Sequence, residues 1–170
     1  MNRKRFVVVA AVVALLAGAA AFMPAQAATA TANLAVSASV TANCVITAGT
    51  LPFGAYDPVV ANAAADLNGA GTFTVACTKN AASVWIGMNT GANASGAQRR
   101  MKDAGTDYLN YELYSDAGRT TVWGNTQATG LAYSSTGKAP ATINVYGRVP
   151  QNQDVAVGAY TDTVVMTVNF

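Results

Sequence analysis

The stretch AYTDTVVMTVNF, residues 159–170, decides the fold class. Read in twos, one face carries Tyr160, Val164, Met166, Val168 and Phe170, with Asp162 as its only polar break. The other face carries Thr161, Thr163, Val165, Thr167 and Asn169. A period of two is that of a half-buried β-strand. The stretch runs to an aromatic residue with no loose polar tail after it, whereas strand ends usually fray into such tails. It is therefore expected to be a strand whose outer edge has no neighbour within its own sheet.

Upstream, the same chemistry recurs. The segments NCVIT (43–47), GTFTVACT (71–78), SVWIGM (83–88), YLNYELYS (108–115), TVWG (121–124) and ATINVYGRV (141–149) are rich in Val, Thr, Ile, Tyr and Trp, which suit a pleated surface. Between them lie LNGAG, NTGANASG, SDAGR and SSTGKAP, which carry turn residues. PVVANAAADL (58–67) reads either as a short helical turn or as a loop, because of Pro58 and its two Asn. Short strands at this spacing predict an all-β sandwich or barrel.

The first residues carry a different signal. Residues 2–5 are polar and basic, residues 6–22 are apolar, and Ala25-Gln26-Ala27 follows. That order describes a secretory signal peptide over residues 1–27. The alternative, a retained anchor, meets an apolar run near the lower length limit for a membrane span. Removing 27 of 170 residues leaves 143, the size of one domain. Arg3, Lys4 and Arg5 leave with the signal, so 10 basic residues fall to 7 against 8 acidic ones. A net charge near zero gives no electrostatic case for nucleic acid or an anionic membrane. The few charges also predict a surface prone to associate. Two cysteines remain, Cys44 and Cys77. In an exported chain they read as one disulfide, the alternative being two buried thiols.

From Ala28 to Val40 the chain again alternates. Ala30, Ala32, Leu34, Val36, Ala38 and Val40 share a face opposite mostly Thr, Asn and Ser. Thirteen residues extend about 43 Å at ~3.3 Å each, and no Pro or Gly turns them back. One reading is an ordinary first strand behind a frayed tail. The other joins the two alternating segments. If residues 28–40 of one copy lie beside the terminal strand of another, each subunit completes its neighbour's sheet. Such a head-to-tail contact does not close, so it generates a fibre. Burial of Leu34, Val36 and Val40 contributes roughly 5–9 kcal/mol before ordering costs.

Enzyme chemistry finds little footing. The chain has no histidine, the usual acid–base group near neutral pH. Asp103 and Asp107 sit in the loop-like KDAGTDY, and Glu112, between Tyr111 and Leu113, is expected to face solvent. NGAG (68–71) lacks the lysine of a phosphate loop and reads as a turn. Without histidine, two thiols cannot complete a zinc shell, and no metal or cofactor is expected. A carbohydrate-binding module is the stronger competitor, through Trp85, Trp123, Tyr108, Tyr111, Tyr114 and Tyr133. In strands such residues more often serve as core or cross-strand pairs. The basic QRRMK (98–102), opposed by Asp103 and Asp107, reads as a solvated loop.

Five stretches carry a family resemblance: ANCVI at the first cysteine, LPFGAYDP (51–58), FTVACT at the second, YLNYELYSDAGRTTVWG (108–124) and GAYTDTVVMTVNF (158–170). The chain resembles the spore coat protein U family, which includes subunits of archaic (Csu-type) chaperone–usher pili. The resemblance implies an immunoglobulin-like sandwich lacking its last strand and completed by donor-strand exchange. It places a donor-strand extension at 28–42 and the incomplete domain at 43–170. Ala30, Ala32, Leu34, Val36, Ala38 and Val40 would enter a groove walled by Tyr160, Val164, Met166, Val168 and Phe170. The four alanines on the even face of residues 28–40, at 28, 30, 32 and 38, would fill its pockets less fully than bulky residues. The family's disulfide would fall on Cys44 and Cys77. The implied partners are other subunits, a periplasmic chaperone, which would contact the same wall and the Phe170 carboxylate, and an outer-membrane usher. The implied destination is a cell-surface fibre reached through the periplasm, or a secreted coat laid around resting cells.

Overall fold

The strands form where β-branched and aromatic residues alternate with polar ones, and the faces they bury define two sheets. The structure is a computed structural model, described for residues 26–170. The signal-peptide reading lies almost wholly outside those residues. Residues 26–43 carry no regular secondary structure and are exposed. The body comprises β1 (Cys44–Thr50), β2 (Leu67–Cys77), β3 (Trp85–Met88), β4 (Arg99–Lys102), β5 (Tyr108–Tyr114), β6 (Leu131–Ala132), β7 (Ala141–Val149) and β8 (Met166–Asn169). No described residue is helical. One sheet has the order β1-β2-β7-β5-β4 and the other β6-β3-β8. Every ladder is antiparallel. The arrangement is an all-β, immunoglobulin-like sandwich.

The core follows from the alternation. Phe73 and Val75 of β2, Val145 and Val149 of β7, and Leu109, Tyr111 and Leu113 of β5 point inward. They meet Ile86 and Met88 of β3 and the fully buried Trp123. Trp123 leans on Phe73, with ring centroids 5.9 Å apart. Its indole N–H donates to the Ile86 carbonyl at 2.7 Å, which satisfies the one polar group the ring brings inside. TVWG is not a strand. It touches β5 only through the Tyr114–Val122 bridge and the Trp123 amide, which donates to the Leu113 carbonyl.

Three further expectations are corrected. LNGAG is not a turn but the first half of β2, where Gly69 faces Gly147 of β7. A Cβ on Gly69 would lie 2.8 Å from the Phe53 ring, and one on Gly147 would lie 2.6 Å from it. These glycines clear a slot in which Phe53 and Leu51 lie flat on the sheet. QRRMK is not a solvated loop, since RRMK is β4, paired with β5. Glu112 does not simply face solvent, because its carboxylate pairs with the buried Arg99 guanidinium. Residues 58–65 form turns and bends rather than a helix, and Leu67 already opens β2. Asp57 Oδ1 accepts the amides of Val59 and Val60, and these bonds hold its carboxyl below the usual range.

Cys44 and Cys77 stand opposite each other in the β1–β2 ladder and are disulfide-bonded. With a sequence separation of 33, replacing both by Ser is expected to lower stability by about 3–4 kcal/mol. A urea melt checks this: the midpoint should drop in the double variant and, equally, in the reduced parent chain.

Candidate subunit-binding cleft

The two sheets do not meet evenly. β1 is an edge of the larger sheet, and β8 is an edge of the smaller one. They lie next to each other, yet no ladder joins them among the described residues. Between them opens a cavity of about 360 Å³. Gly49, Thr50 and Leu51 form one rim, and Tyr160, Val164 and Met166 form the other. Phe53, Phe73, Met88, Met101, Tyr111 and Val145 form the floor. A second cavity of about 680 Å³ shares Leu51, Phe53, Met101 and Tyr160, and adds Leu109, Val149 and Val155. The cleft is thus long, apolar and bordered by strand edges with free backbone groups, the features that recruit another strand.

The C-terminal rim is built in two parts. Thr161 exchanges both backbone hydrogen bonds with Lys102 of β4, at 2.9 and 3.0 Å. Further on, β8 pairs with β3, with Ile86 opposite Val168. The segment from 161 to 169 therefore clips the two sheets together. Asp162, the polar break in the apolar face, has a specific place here. Its carboxylate accepts the Tyr111 hydroxyl at 2.7 Å, and the Asn93 amide and side chain at 3.1 Å each. Burial first, then this bond, push the Tyr111 phenol well above its ordinary range, so it stays a neutral donor. Gly91, at φ +91, leaves room for the carboxylate; a Cβ there would sit 1.9 Å from Asp162 Oδ2.

Arg99 fixes the floor from behind. Its guanidinium is buried and donates to the carbonyls of Met88, Asn89 and Trp123 at 2.7–3.0 Å, and to the Glu112 carboxylate. One side chain thus ties β4, β5, β3 and the Trp123 loop together.

The structure brings Tyr160, Val164 and Met166 to the cleft. Val168 packs against the core next to it, and Phe170 is more than half exposed. In the extension, Leu34 is 87% exposed, and Val36 and Val40 are each 84% exposed. Ala30, Ala32 and Ala38 are exposed too. Among the described residues these apolar side chains have no cover. Leu51, Phe53, Met101 and Tyr111 line the cleft without having been expected there. The inward period of Leu109, Tyr111 and Leu113 was the available signal for Tyr111, whereas Phe53 sits in a loop with no period at all.

The family model of the Spore Coat Protein U domain matches residues 30–167. The chain belongs to the spore coat protein U domain family. It is 48% identical over 172 residues to Protein U of Myxococcus xanthus, across 94% of this chain and 96% of that protein. Its fold is similar to one in the crystal structure of the CsuC–CsuE chaperone–tip adhesion subunit pre-assembly complex, from archaic chaperone–usher Csu pili of Acinetobacter baumannii. The TM-score is 0.53 at 20% identity, covering 77% of this chain and 40% of that one. For this member of the spore coat protein U family, the sandwich fold and the cleft between β1 and β8 frame the functional question.

Proposed function

We propose that this protein is a structural subunit that polymerises head-to-tail, each copy inserting residues 28–40 into the cleft of the next. The observation that carries this reading is the pairing of an open apolar cleft with an exposed alternating segment. Leu34, Val36 and Val40 would descend onto the floor, while backbone groups of the segment would pair with the free edges of β1 and β8. The alanines at 30, 32 and 38 would sit where the cleft is shallow. Before assembly the same cleft calls for a chaperone that lends a strand, because an unpaired edge aggregates. Export through the periplasm after signal cleavage behind Ala27, and handover at an outer-membrane usher, complete the route. The disulfide fits an exported chain. The product is an adhesive or biofilm fibre. The description of the family as spore coat proteins favours a second product, a shell around resting cells built by the same strand exchange.

Val36→Asp tests the insertion. It would place an unpaired charge on the apolar floor, and the loss of burial adds to that. Polymer yield from the refolded mature chain, read by light scattering, is expected to fall at least 30-fold. Thr31→Asp, on the opposite face, should leave it within twofold. Equal polymerisation by all three chains would refute insertion in this register.

A further inference from the structure

We propose that the outer face of the five-stranded sheet binds an acidic polysaccharide. Near-neutral net charge conceals a clustering of cations on this molecule. After the expected signal is removed, seven cations remain, and one of them, Arg99, is buried in its own network. Of the other six, four lie on this one face, each against a tyrosine ring.

The geometry is specific. Arg100 lies over Tyr108 with its guanidinium carbon 4.0 Å from the ring centre, and the Lys102 ammonium approaches the same ring at 5.7 Å. Arg148 covers Tyr114 at 5.5 Å, and Arg119 covers Tyr146 at 5.7 Å. Register places these groups together: Lys102 stands opposite Tyr108, and Tyr114 opposite Tyr146. Tyr108 and Tyr114 are six residues apart on β5, so the patch runs for about 20 Å. The carboxylates near it are engaged. Glu112 pairs with Arg99, and Asp66 lies 3.4 Å from Arg148 and accepts the Gln151 amide. The Arg148 Nε is buried and faces Asp66 Oδ2 at 3.4 Å, so only the terminal nitrogens of this guanidinium are presented to the patch.

This chemistry selects an occupant. Stacking on a ring holds a guanidinium flat. Arg119 spends its fork on the Gly147, Ala117 and Gly69 carbonyls and Arg100 its Nε–H on the Asn93 carbonyl, so the terminal nitrogens of Arg100 and Arg148, with the Lys102 ammonium, are the donors left for a planar oxyanion. A row of such donors over 20 Å matches a polymer with repeated carboxylates or sulfates better than a single small anion. The ring faces are covered by cations, so they are not free to stack nucleobases, the main energy source in single-strand nucleic-acid binding. Neutral sugars would likewise find few open ring faces.

The test uses the full mature chain, with polygalacturonate and heparin as acidic polysaccharides, dextran as the neutral one, and single-stranded DNA as the other polyanion. Binding by calorimetry is expected for one or both acidic polysaccharides, at least tenfold weaker for DNA and for dextran, and weaker as salt rises. Arg100→Gln with Arg148→Gln should lose at least tenfold. Lys79→Gln with Lys138→Gln, elsewhere on the body, should lose less than twofold. Because the changed side chains sit on a solvent-facing surface, an unchanged thermal midpoint certifies the fold of each variant. The salt titration of the parent chain stands without any variant. Absence of binding to both acidic polysaccharides, equal binding of dextran, DNA binding as tight or tighter, or a paired-arginine variant that binds normally would each overturn the proposal. None of these outcomes bears on polymer formation, which is scored separately through Val36.

Discussion

A mature chain lacking residues 28–40 is expected to fold, to remain unpolymerised, and to bind a synthetic peptide of residues 28–42. The segment removed consists of exposed residues, so its loss takes nothing from the buried core of Phe73, Ile86, Trp123 and Val149. What it removes is the proposed guest of a neighbouring cleft. Peptide at ~100 times its dissociation constant adds about 2.7 kcal/mol to apparent stability, which corresponds to roughly 10 °C in the thermal midpoint for a domain of this size. Hydrogen exchange should then slow along β1 and β8, the two rims, more than along β2 and β7. A truncated chain that still forms polymer, or a peptide that leaves the midpoint unmoved, would remove strand exchange from this protein's assembly.

The second large effect is expected at Arg99. Replacing it by Ala leaves the carbonyls of Met88, Asn89 and Trp123 and the Glu112 carboxylate without their donors. Breaking a buried, hydrogen-bonded ion pair costs about 3–5 kcal/mol, a large share of the roughly 5–15 kcal/mol that holds a domain together. Arg99→Ala should therefore populate the unfolded state measurably without denaturant. Arg99→Lys is expected to rescue little, because an ammonium cannot span acceptors on four sides as the planar fork does. Glu112→Gln in the Ala background should recover about 1–2 kcal/mol by removing the stranded charge. Urea melts of the parent, Arg99→Ala, Glu112→Gln alone and the double variant decide the matter, and additive losses would show that Arg99 and Glu112 do not act as a pair.

Much of the sandwich was readable from residue patterns. The strands over 71–78, 108–115 and 141–149 were plain because each buries one face against a single core, which imposes a clean period of two. The segment 159–170 alternates as expected, although only Met166–Asn169 forms a ladder strand, because Thr161 turns to β4 instead. RRMK was missed for a physical reason. Charge ordinarily marks solvent, and nothing local reveals that three distant carbonyls wait for Arg99. LNGAG was missed because glycine in a strand and glycine in a turn look alike in sequence; Phe53, which explains the difference, arrives from another part of the chain. The Tyr160–Met166 rim of the cleft was foreshadowed by the terminal alternation, but the Gly49–Leu51 rim was not. Its floor was not, since Phe53, Met101 and Tyr111 converge only through the packing of one sheet on the other.

The position of the disulfide has a mechanical consequence. The extension enters the body at Asn43, and the next residue, Cys44, opens β1 and is cross-linked to Cys77. A strand pulled from its end ordinarily peels from its neighbour one rung at a time. Here the first rung is covalent, so tension on the extension bypasses β1 and passes into β2, one strand in from the edge of the larger sheet. Reduction would turn that same entry point into the place where a stretched chain begins to unzip.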